Sequence, residues 1–435
     1  MNKYFATFGL GVLVVLGCSF KNTGEVPGDG TGDATDVPDV SSDVPTDGLD
    51  VPADVPDDLV PADGADAVPD SSGDVAGEDA DDGWLDGWGR RVMLLLDHDD
   101  VPDNLVDFPA LVHLSATAGR EGEDVTFVFD ELTDDSMRWR IAITQDDGVT
   151  ECPVEIDSWS SSGREAWLWV GVPLVSYMYD TVLFLYFDST RPDNTAHVGD
   201  TNDPAAELVW DPSFSGVYHL SEGSGPDTFD SSLLNNHCGL SQSDNWSAGR
   251  VAGTYAMDGD DDWAFCGDHA SLRPEYGLTV AAWLDVGAYD DWNAAVAQQW
   301  DNGSNESGYW LGTISSGGPF VFWVNTVLDG WIETTYDLPT GEWHHVVGTY
   351  DGTAIRLYVD AVEVGSSATS GAINYDPLPY GFYIGRYHDS NEDSRMDVTA
   401  DEVHVSGVAR SPAWIRASFE SQRDDFVDFG VVETP

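Results

Sequence analysis

Two carboxylates stand two positions apart in the stretch CPVEIDSW, residues 152–159, and could perform acid–base chemistry on a sugar bond. On a β-strand, Glu155 and Asp157 would share one face. Retaining glycoside hydrolysis also needs a protonated carboxyl group that delivers a proton to the leaving oxygen. The positions after Asp157 read Ser-Trp-Ser, so the second glutamate of such a motif is missing. We therefore predict a structural role, with outward carboxylates and Trp159 packed inward, and no enzymatic activity.

Tryptophans in the second half of the chain could form a platform for a glycan. Sugar rings stack on aromatic faces while neighbouring Asp, Asn and Gln side chains bind the hydroxyls. The candidates are Trp292, Trp300, Trp310, Trp323 and Trp331. Trp292 and Trp300 adjoin acidic, loop-like stretches, and with Asp301 and Asn302 they are the predicted ligand-binding residues. Packing in the core is the alternative for each tryptophan.

Acidic turns suggest a second kind of chemistry, the binding of calcium. Four turns are rich in carboxylate and amide oxygens, the hard ligands that suit Ca²⁺: residues 258–263, 289–293, 300–307 and 388–397. The alternative is that these acids are solvated loop residues. The motifs of serine hydrolases, HExxH zinc enzymes, phosphate loops and CxxC redox proteins do not occur in the sequence.

The net charge limits the kinds of molecule that the protein can bind. It is -62, from 79 acidic and 17 basic residues. Such a surface repels nucleic-acid phosphates and anionic lipid headgroups. We expect no nucleic-acid partner, and contact with a membrane only through a lipid anchor.

The N-terminal region predicts that anchor. Residues 1–18, MNKYFATFGLGVLVVLGC, have an apolar run too short to span a bilayer but suited to a signal peptide. The closing VLGC resembles a bacterial lipobox, which implies lipidation at Cys18. Ser19 implies sorting to the outer membrane or cell surface. Residues 19–83 are rich in Asp and Pro, and we predict a disordered acidic stalk.

Export implies an oxidising compartment in which the remaining three cysteines can form one disulfide. We favour Cys238 with Cys266, because both lie in the same predicted domain and close a modest loop. Cys152 would then be a free, buried thiol.

The rest of the chain predicts an all-β protein with two β-sandwich domains. Short apolar or alternating runs, among them DVTFVFD and AWLWVGVPL, are separated by Gly, Asp, Asn and Ser turns. We place a first sandwich at 84–200 and a second domain at 208–425, with 189–207 as their connection. One short helix should begin at Pro412 with Ser411 as its N-cap.

Two family resemblances cover this region. EWHHVVGTYDGTAIRLYVDAVEVG, YIGRY and ADEVHVSGVARSPAWIRA resemble the laminin G-like jelly roll of the concanavalin A-like superfamily. WGRRVMLLL, DFPALVHL, CPVEIDSW and TVLFLYF resemble domain of unknown function 2341. The first resemblance implies a jelly roll, often with one calcium near a sandwich edge. Asp401 of the DEV strand, with Asp230 and Asp262, would be its ligands.

The resemblances imply the following function. We expect a non-catalytic cell-surface binding protein that recognises a carbohydrate or a surface protein through the jelly roll. The alternatives are a glycoside hydrolase of the concanavalin A-like superfamily and a structural surface or adhesin component. Calcium is the only cofactor that we expect.

Overall fold

The computed structural model describes residues 83–301, 306–376, 381–389 and 392–435. Residues Ala76–Pro435 form one compact unit, and the other unit, Met1–Val75, lies outside the described residues. The predicted signal peptide, Cys18 and almost all of the predicted stalk therefore lie outside the described residues as well.

The described chain is almost entirely β-structure, which confirms the predicted fold class. The first eight strands are β1 Arg91–Leu96, β2 Leu105–Leu114, β3 Ile141–Thr144, β4 Glu151–Cys152, β5 Val154–Ser160, β6 Glu165–Val175, β7 Thr181–Phe187 and β8 Val198–Asp200. The next nine are β9 Phe214–Tyr218, β10 Asp227–Thr228, β11 Cys238–Leu240, β12 Trp246–Ala248, β13 Gly253–Asp258, β14 Ala264–Phe265, β15 Leu278–Val286, β16 Asn293–Asp301 and β17 Glu306–Thr313. The last ten are β18 Phe320–Thr326, β19 Gly330–Tyr336, β20 Trp343–Tyr350, β21 Ala354–Val359, β22 Val362–Ala368, β23 Tyr383–Ile384, β24 Arg386–His388, β25 Asp393–Arg395, β26 Asp397–Ser406 and β27 Val427–Glu433.

Helical structure among the described residues is confined to short segments. The α-helices are α1 Phe127–Glu131 and α2 Pro412–Gln422, and single 3₁₀ turns occupy His98–Asp100, Asp135–Met137, Ala206–Val209 and Ala270–Leu272. In that part of the chain, no helix has the length and apolar character needed to cross a membrane. Helix α2 begins as predicted, since Ser411 accepts a hydrogen bond from the backbone N–H of Trp414 and Pro412 follows it.

The first sandwich consists of two sheets. One has the strand order β27-β1-β7-β3-β4, and the other has the order β2-β6-β5-β8. Strand β1 shows how the sequence forms this core: its residues alternate between partly exposed and buried, and Val92, Leu94 and Leu96 point inward. The last strand of the chain, β27, pairs with the first. The first sandwich is therefore completed by residues from the far end of the chain.

The second sandwich is the larger one. One sheet has the order β10-β11-β14-β23-β16-β17-β18-β19 and the other has the order β12-β13-β26-β15-β20-β21-β22, with β9 also paired to β26. Between them lies a core of aromatic and aliphatic residues such as Tyr309, Leu311, Phe322 and Val346. Strands β24 and β25 form a separate two-stranded antiparallel sheet.

Two segments differ from the strand pattern expected from the sequence. The run DVTFVFD contains α1 instead of a strand, because Val125, Val128, Phe129 and Leu132 recur at helical spacing and all are buried. Asp124 also accepts hydrogen bonds from the backbone N–H and hydroxyl of Thr126, which turns the chain there. The connection at 189–207 contains β8, which runs parallel to β5.

The second sandwich packs against the first through the outer face of the sheet that contains β15, β20 and β26. Helix α2 lies at this contact: Ala413 and Ala417 join the core of the first sandwich, whereas Ile415 packs on Val347 and Tyr358 of the second. A third cluster at the contact includes Trp169 of β6 and Trp210, Phe214 and Val217. The boundaries 84–200 and 208–425 remain a proposal.

Candidate functional site

The other sheet of the second sandwich, which contains β16, β17, β18 and β19, carries on its outer face four of the five tryptophans that the sequence singled out. Successive residues of β17 and β18 point to opposite faces, so Tyr309 and Leu311 fill the core while Trp310 lies on the outer face. Trp310 pairs across the strands with Trp323 of β18. The two rings are stacked, with centroids 6.3 Å apart.

The outer row of rings ends at Trp331 and Trp292, and these two reach the surface. Trp331 of β19 stacks on Trp323 with centroids 4.6 Å apart and is half-buried. Trp292, in the loop before β16, stands edge-on to Trp331 at 5.8 Å and to Trp310 at 6.5 Å. Its side chain is 40% exposed, whereas Trp310 and Trp323 are fully buried. We call Trp292 and Trp331 the tryptophan patch.

The backbone at Trp292 is in the left-handed region, with φ of 58°. A bulky non-glycine residue rarely adopts this conformation, because Cβ crowds the following carbonyl oxygen at a cost of about 1–2 kcal/mol. Neighbouring residues hold the loop in place: the hydroxyl of Thr313 donates to the carbonyl oxygen of Asp290 at 2.8 Å, and the N–H of Ser316 donates to Asp291. The chain thus keeps a large indole exposed on a strained and anchored loop.

Hydrogen-bonding groups surround the tryptophan patch. The Nε1–H of Trp331 donates to Glu333 at 2.8 Å, and Asp290 and Asp291 precede Trp292 directly. Of the other predicted ligand-binding residues, Trp300 and Asp301 lie at the end of β16 with side chains outside the described part, and Asn302 lies outside it altogether. Their role stays a prediction.

The three expected calcium ligands are not brought together. Both carboxylate oxygens of Asp230 accept hydrogen bonds, from the N–H groups of Val217, Ser232 and Asn236 and from the hydroxyl of Ser232. A carboxylate has about four lone-pair positions, so Asp230 has none left for a cation. It fixes the turn that follows β10.

Asp401 and Asp262 have different surroundings. One oxygen of Asp401 accepts from the N–H groups of Arg250 and Val251 at 2.6 and 2.8 Å. Asp262 lies with Asp258 and Asp261, and one oxygen from each falls within 4.8 Å of the others. These hard donors fit Ca²⁺ by type. Calcium binding stays a prediction, and within the described residues only Asp262 of the three lies in such a group.

The disulfide prediction is confirmed. Cys238 opens β11 and Cys266 directly follows β14, and since Gly239 pairs with Phe265 the two cysteines are neighbours across the strands. Cys152 is a free, buried thiol, and burial raises its pKa to about 12.

The prediction of outward carboxylates on the CPVEIDSW strand is wrong for Glu155, which is completely buried. Its face of β5 is covered by the second sandwich and the segment that leads into it. The Nε1–H of Trp210 donates to Glu155 Oε2 at 2.7 Å, and the hydroxyl of Ser231 donates to Oε1 at 2.6 Å. His219 Nε2 lies 3.3 Å from the same Oε1. Glu155 therefore joins the two sandwiches.

His219 connects Glu155 to a second buried carboxylate. Its Nδ1 lies 2.9 Å from Glu402 Oε2, and Nε2 of His404 lies 2.9 Å from that same oxygen. We call Glu155, His219, Glu402 and His404 the interface cluster. Burial opposes a charged imidazole, but Glu402, Glu155 and Asp157 outweigh it and raise the pKa of His219 well above its usual value.

Asp157 borders the interface cluster from the first sandwich. The register of β5 shifts between Ile156 and Ser158, so Asp157 sits at a bulge. It accepts a hydrogen bond from the hydroxyl of Ser221, while its Oδ2 is buried with no partner among the described residues. Burial raises the pKa of Asp157 to about 7. Neither carboxylate of the opening motif faces a groove where a sugar could bind.

The comparisons with known proteins concern the jelly roll. Residues 258–416 match the model of a family described as the concanavalin A-like lectin/glucanases superfamily. The match confirms the jelly-roll part of the predicted resemblance and includes Trp292, Trp331 and Glu402. No curated protein matches the sequence with significance. The resemblance of residues 84–200 to domain of unknown function 2341 stays a prediction.

Several solved structures are similar in part. The binding domain of Paraclostridial Mosquitocidal Protein 1 is 14% identical over 48% of this chain and 52% of its own, with a TM-score of 0.38. Domain 4 of AbnA, a GH43 extracellular arabinanase from Geobacillus stearothermophilus, solved with arabinotriose, is 16% identical over 47% of this chain and 97% of its own, with a TM-score of 0.34. The ligand-binding domain of botulinum neurotoxin serotype D, solved with N-acetylneuraminic acid, is 12% identical over 48% and 51%, with a TM-score of 0.37. This chain thus spans about half the length of the toxin domains that it matches.

Proposed function

We propose that the second sandwich is a non-catalytic carbohydrate-binding module and that its ligand contacts the tryptophan patch. One observation carries this proposal: Trp292 keeps 40% of its side chain exposed in a left-handed backbone conformation. Exposed apolar surface and backbone strain both cost free energy, and such costs are characteristic of binding sites. The flat face of an indole is a good surface for the C–H face of a sugar ring.

The charge of the protein narrows the class of carbohydrate. A net charge of -62 repels sulfated, phosphorylated and sialylated glycans. The carboxylates next to the tryptophan patch, Asp290, Asp291 and Glu333, are of a type that can accept hydrogen bonds from the neutral hydroxyl groups of a sugar. A neutral glycan is therefore the ligand class that these residues favour.

The family description supports binding because it names lectins, and it names glucanases as well. The buried position of Glu155 removes the carboxylate pair that first suggested a hydrolase. In our proposal the protein is exported and held at the cell surface by a lipid on Cys18, with residues 19–83 as a spacer. Calcium would bind at Asp262 with Asp258 and Asp261 and would order the loop between β13 and β14.

A glycan array tests the ligand class and the calcium proposal together. The full chain is applied once with calcium and once with a chelator. We expect signal on neutral oligosaccharides and little on sialylated or sulfated ones, with part of the signal lost on chelation. Equal signal under both conditions would contradict the role of calcium but leave carbohydrate binding intact. Signal on no glycan under either condition would contradict carbohydrate recognition.

A further inference from the structure

Three potential metal ligands converge in the buried contact between the two sandwiches. The donor atoms of His219, Glu402 and His404 all lie within 4.8 Å of one another. Glu402 Oε2 is 2.9 Å from His219 Nδ1 and 2.9 Å from His404 Nε2. We propose that these three side chains bind one divalent transition-metal ion of the zinc type, with Glu155 as the outer partner of His219. This site is separate from the tryptophan patch and does not depend on the proposed function.

The spacing and chemistry of the donors suit such an ion. Tetrahedral zinc with ligands at about 2.0–2.2 Å places neighbouring donor atoms about 3.3–3.6 Å apart. The 2.9 Å separations at Glu402 Oε2 would have to widen by about 0.4–0.7 Å. Two imidazoles and one carboxylate favour zinc and similar transition-metal ions over calcium, which prefers ligands that are all oxygen atoms.

The second observation is the position of His219 Nε2, the nitrogen that faces Glu155. His219 is almost fully buried, and its Nε2 has no aligned hydrogen-bond partner among the described residues although Glu155 Oε1 is only 3.3 Å away. With a metal ion bound at Nδ1, Nε2 would carry the proton and face Glu155 Oε1. A histidine that binds metal through one nitrogen and faces a carboxylate with the other is a recurrent arrangement.

Several buried acidic side chains surround the ligands. Glu155 and Glu402 are both buried, and the buried atoms Asp157 Oδ2 and Asp401 Oδ1 have no partner among the described residues. A zinc-type ion would place two positive charges among these acidic side chains and leave both histidines neutral, as coordination requires.

The backbone is shaped to present Glu402. The register of β15 against β26 shifts between Ala281 and Trp283, and Glu402 lies in the resulting bulge with φ of 50°. The bulge buries two successive acidic residues, Asp401 and Glu402, which a regular strand would send to opposite faces. A left-handed glutamate costs free energy, and such costs cluster at ligand sites.

Aromatic rings and a small cavity border the ligands. The rings of Trp169 and Trp210 lie 5.8 and 5.7 Å from that of His219. His404 borders a cavity whose wall also includes Trp169, Arg410 and Trp414.

Metal analysis of the untagged full chain tests the proposal, because a polyhistidine tag would itself bind metal. The protein is stripped with a chelator, loaded with Zn²⁺ or Co²⁺, and passed over a weak chelating resin that removes ions from surface carboxylates. We expect about one zinc ion per chain. With cobalt we expect the visible absorption bands of a four- or five-coordinate site with nitrogen ligands.

Matched variants assign the site. His404→Gln should reduce bound zinc to a trace, whereas His345→Gln, which replaces a buried histidine of β20, two strands away in the same sheet, should keep it. If His404→Gln fails to fold, as judged by near-ultraviolet circular dichroism, the cobalt spectrum of the wild type decides. Only surface-type octahedral bands and no retained zinc in the wild type would overturn the proposal, and so would full zinc retention in His404→Gln.

Discussion

Replacing Glu155 with alanine is expected to lower the free energy of unfolding by about 3–5 kcal/mol, the typical cost of breaking a buried ion pair by removing one partner. The carboxylate accepts hydrogen bonds from Trp210 and Ser231 and lies 3.3 Å from His219. The variant leaves these buried groups without their carboxylate acceptor. Urea unfolding, followed by tryptophan fluorescence and circular dichroism, measures the loss.

A surface pair on the adjacent strand provides the matched control for Glu155. Glu165 of β6 lies 3.2 Å from His113 Nε2, much as Glu155 lies from His219, but its side chain is more than half exposed. Glu165→Ala should cost less than about 1 kcal/mol. Glu155→Gln, which retains an acceptor oxygen, should fall between the two alanine variants. Equal losses for Glu155→Ala and Glu165→Ala would contradict the role of the interface cluster in joining the sandwiches.

Removing the disulfide is expected to have the second largest effect. The bond joins residues 28 positions apart, and closing a loop of this size stabilises the folded state by about 3–4 kcal/mol in the chain-entropy model. The variant Cys238→Ala/Cys266→Ala should lose that amount in urea unfolding. Because the bond links the short strands β11 and β14 at one edge of a sheet, we also expect faster hydrogen exchange there than in β17 or β18.

The free cysteine of the first sandwich is the control for the disulfide. Cys152→Ala removes a thiol that is as fully buried as Cys238 and Cys266 but closes no loop. It should cost about 1 kcal/mol, the usual cost of a small loss in the core. A double variant that loses no more than twice the Cys152→Ala cost would show that loop closure contributes little.

Much of the fold could be predicted because its signals are local. Three of these signals each depend on a few neighbouring residues: the alternation of buried and partly exposed residues in β1, the N-cap of α2 at Ser411, and the apolar runs separated by turns. The pairing of Cys238 with Cys266 also followed from their sharing one predicted domain. The run DVTFVFD, which contains α1, was predicted as a strand because its short apolar pattern fits the period of a strand or of a helix. Only the spacing of its buried residues decides between the two.

The interface cluster could not be predicted from single strands. Alternation in β5 places Glu155 and Asp157 on one face, but it does not tell whether that face meets water or a second sandwich. The available signal was the presence of His219 and His404 in otherwise apolar strand ends, VYHL and VHV, which need buried partners. Nothing local indicates that a bulge turns Glu402 inward.

The tryptophan patch shows a different limit. The sequence singled out five tryptophans, and the structure brings Trp292, Trp310, Trp323 and Trp331 together on one sheet face. The sequence could not show which of these rings stay exposed, because their exposure depends on where the loop before β16 lies. Trp310 and Trp323 are fully buried, so Trp292 and Trp331 are left to meet a ligand.

Isothermal titration calorimetry of the full chain with a neutral oligosaccharide that binds on the array tests the central claim most directly. Trp292→Ala should weaken binding by about 2 kcal/mol, a roughly 30-fold rise in Kd. Tyr276→Ala is the control. Tyr276 is also an exposed aromatic residue, but it precedes β15 and Trp292 follows it, so the two lie near opposite ends of that strand. It should leave Kd unchanged. Equal Kd values for the wild type and Trp292→Ala would contradict the claim that the tryptophan patch binds the glycan.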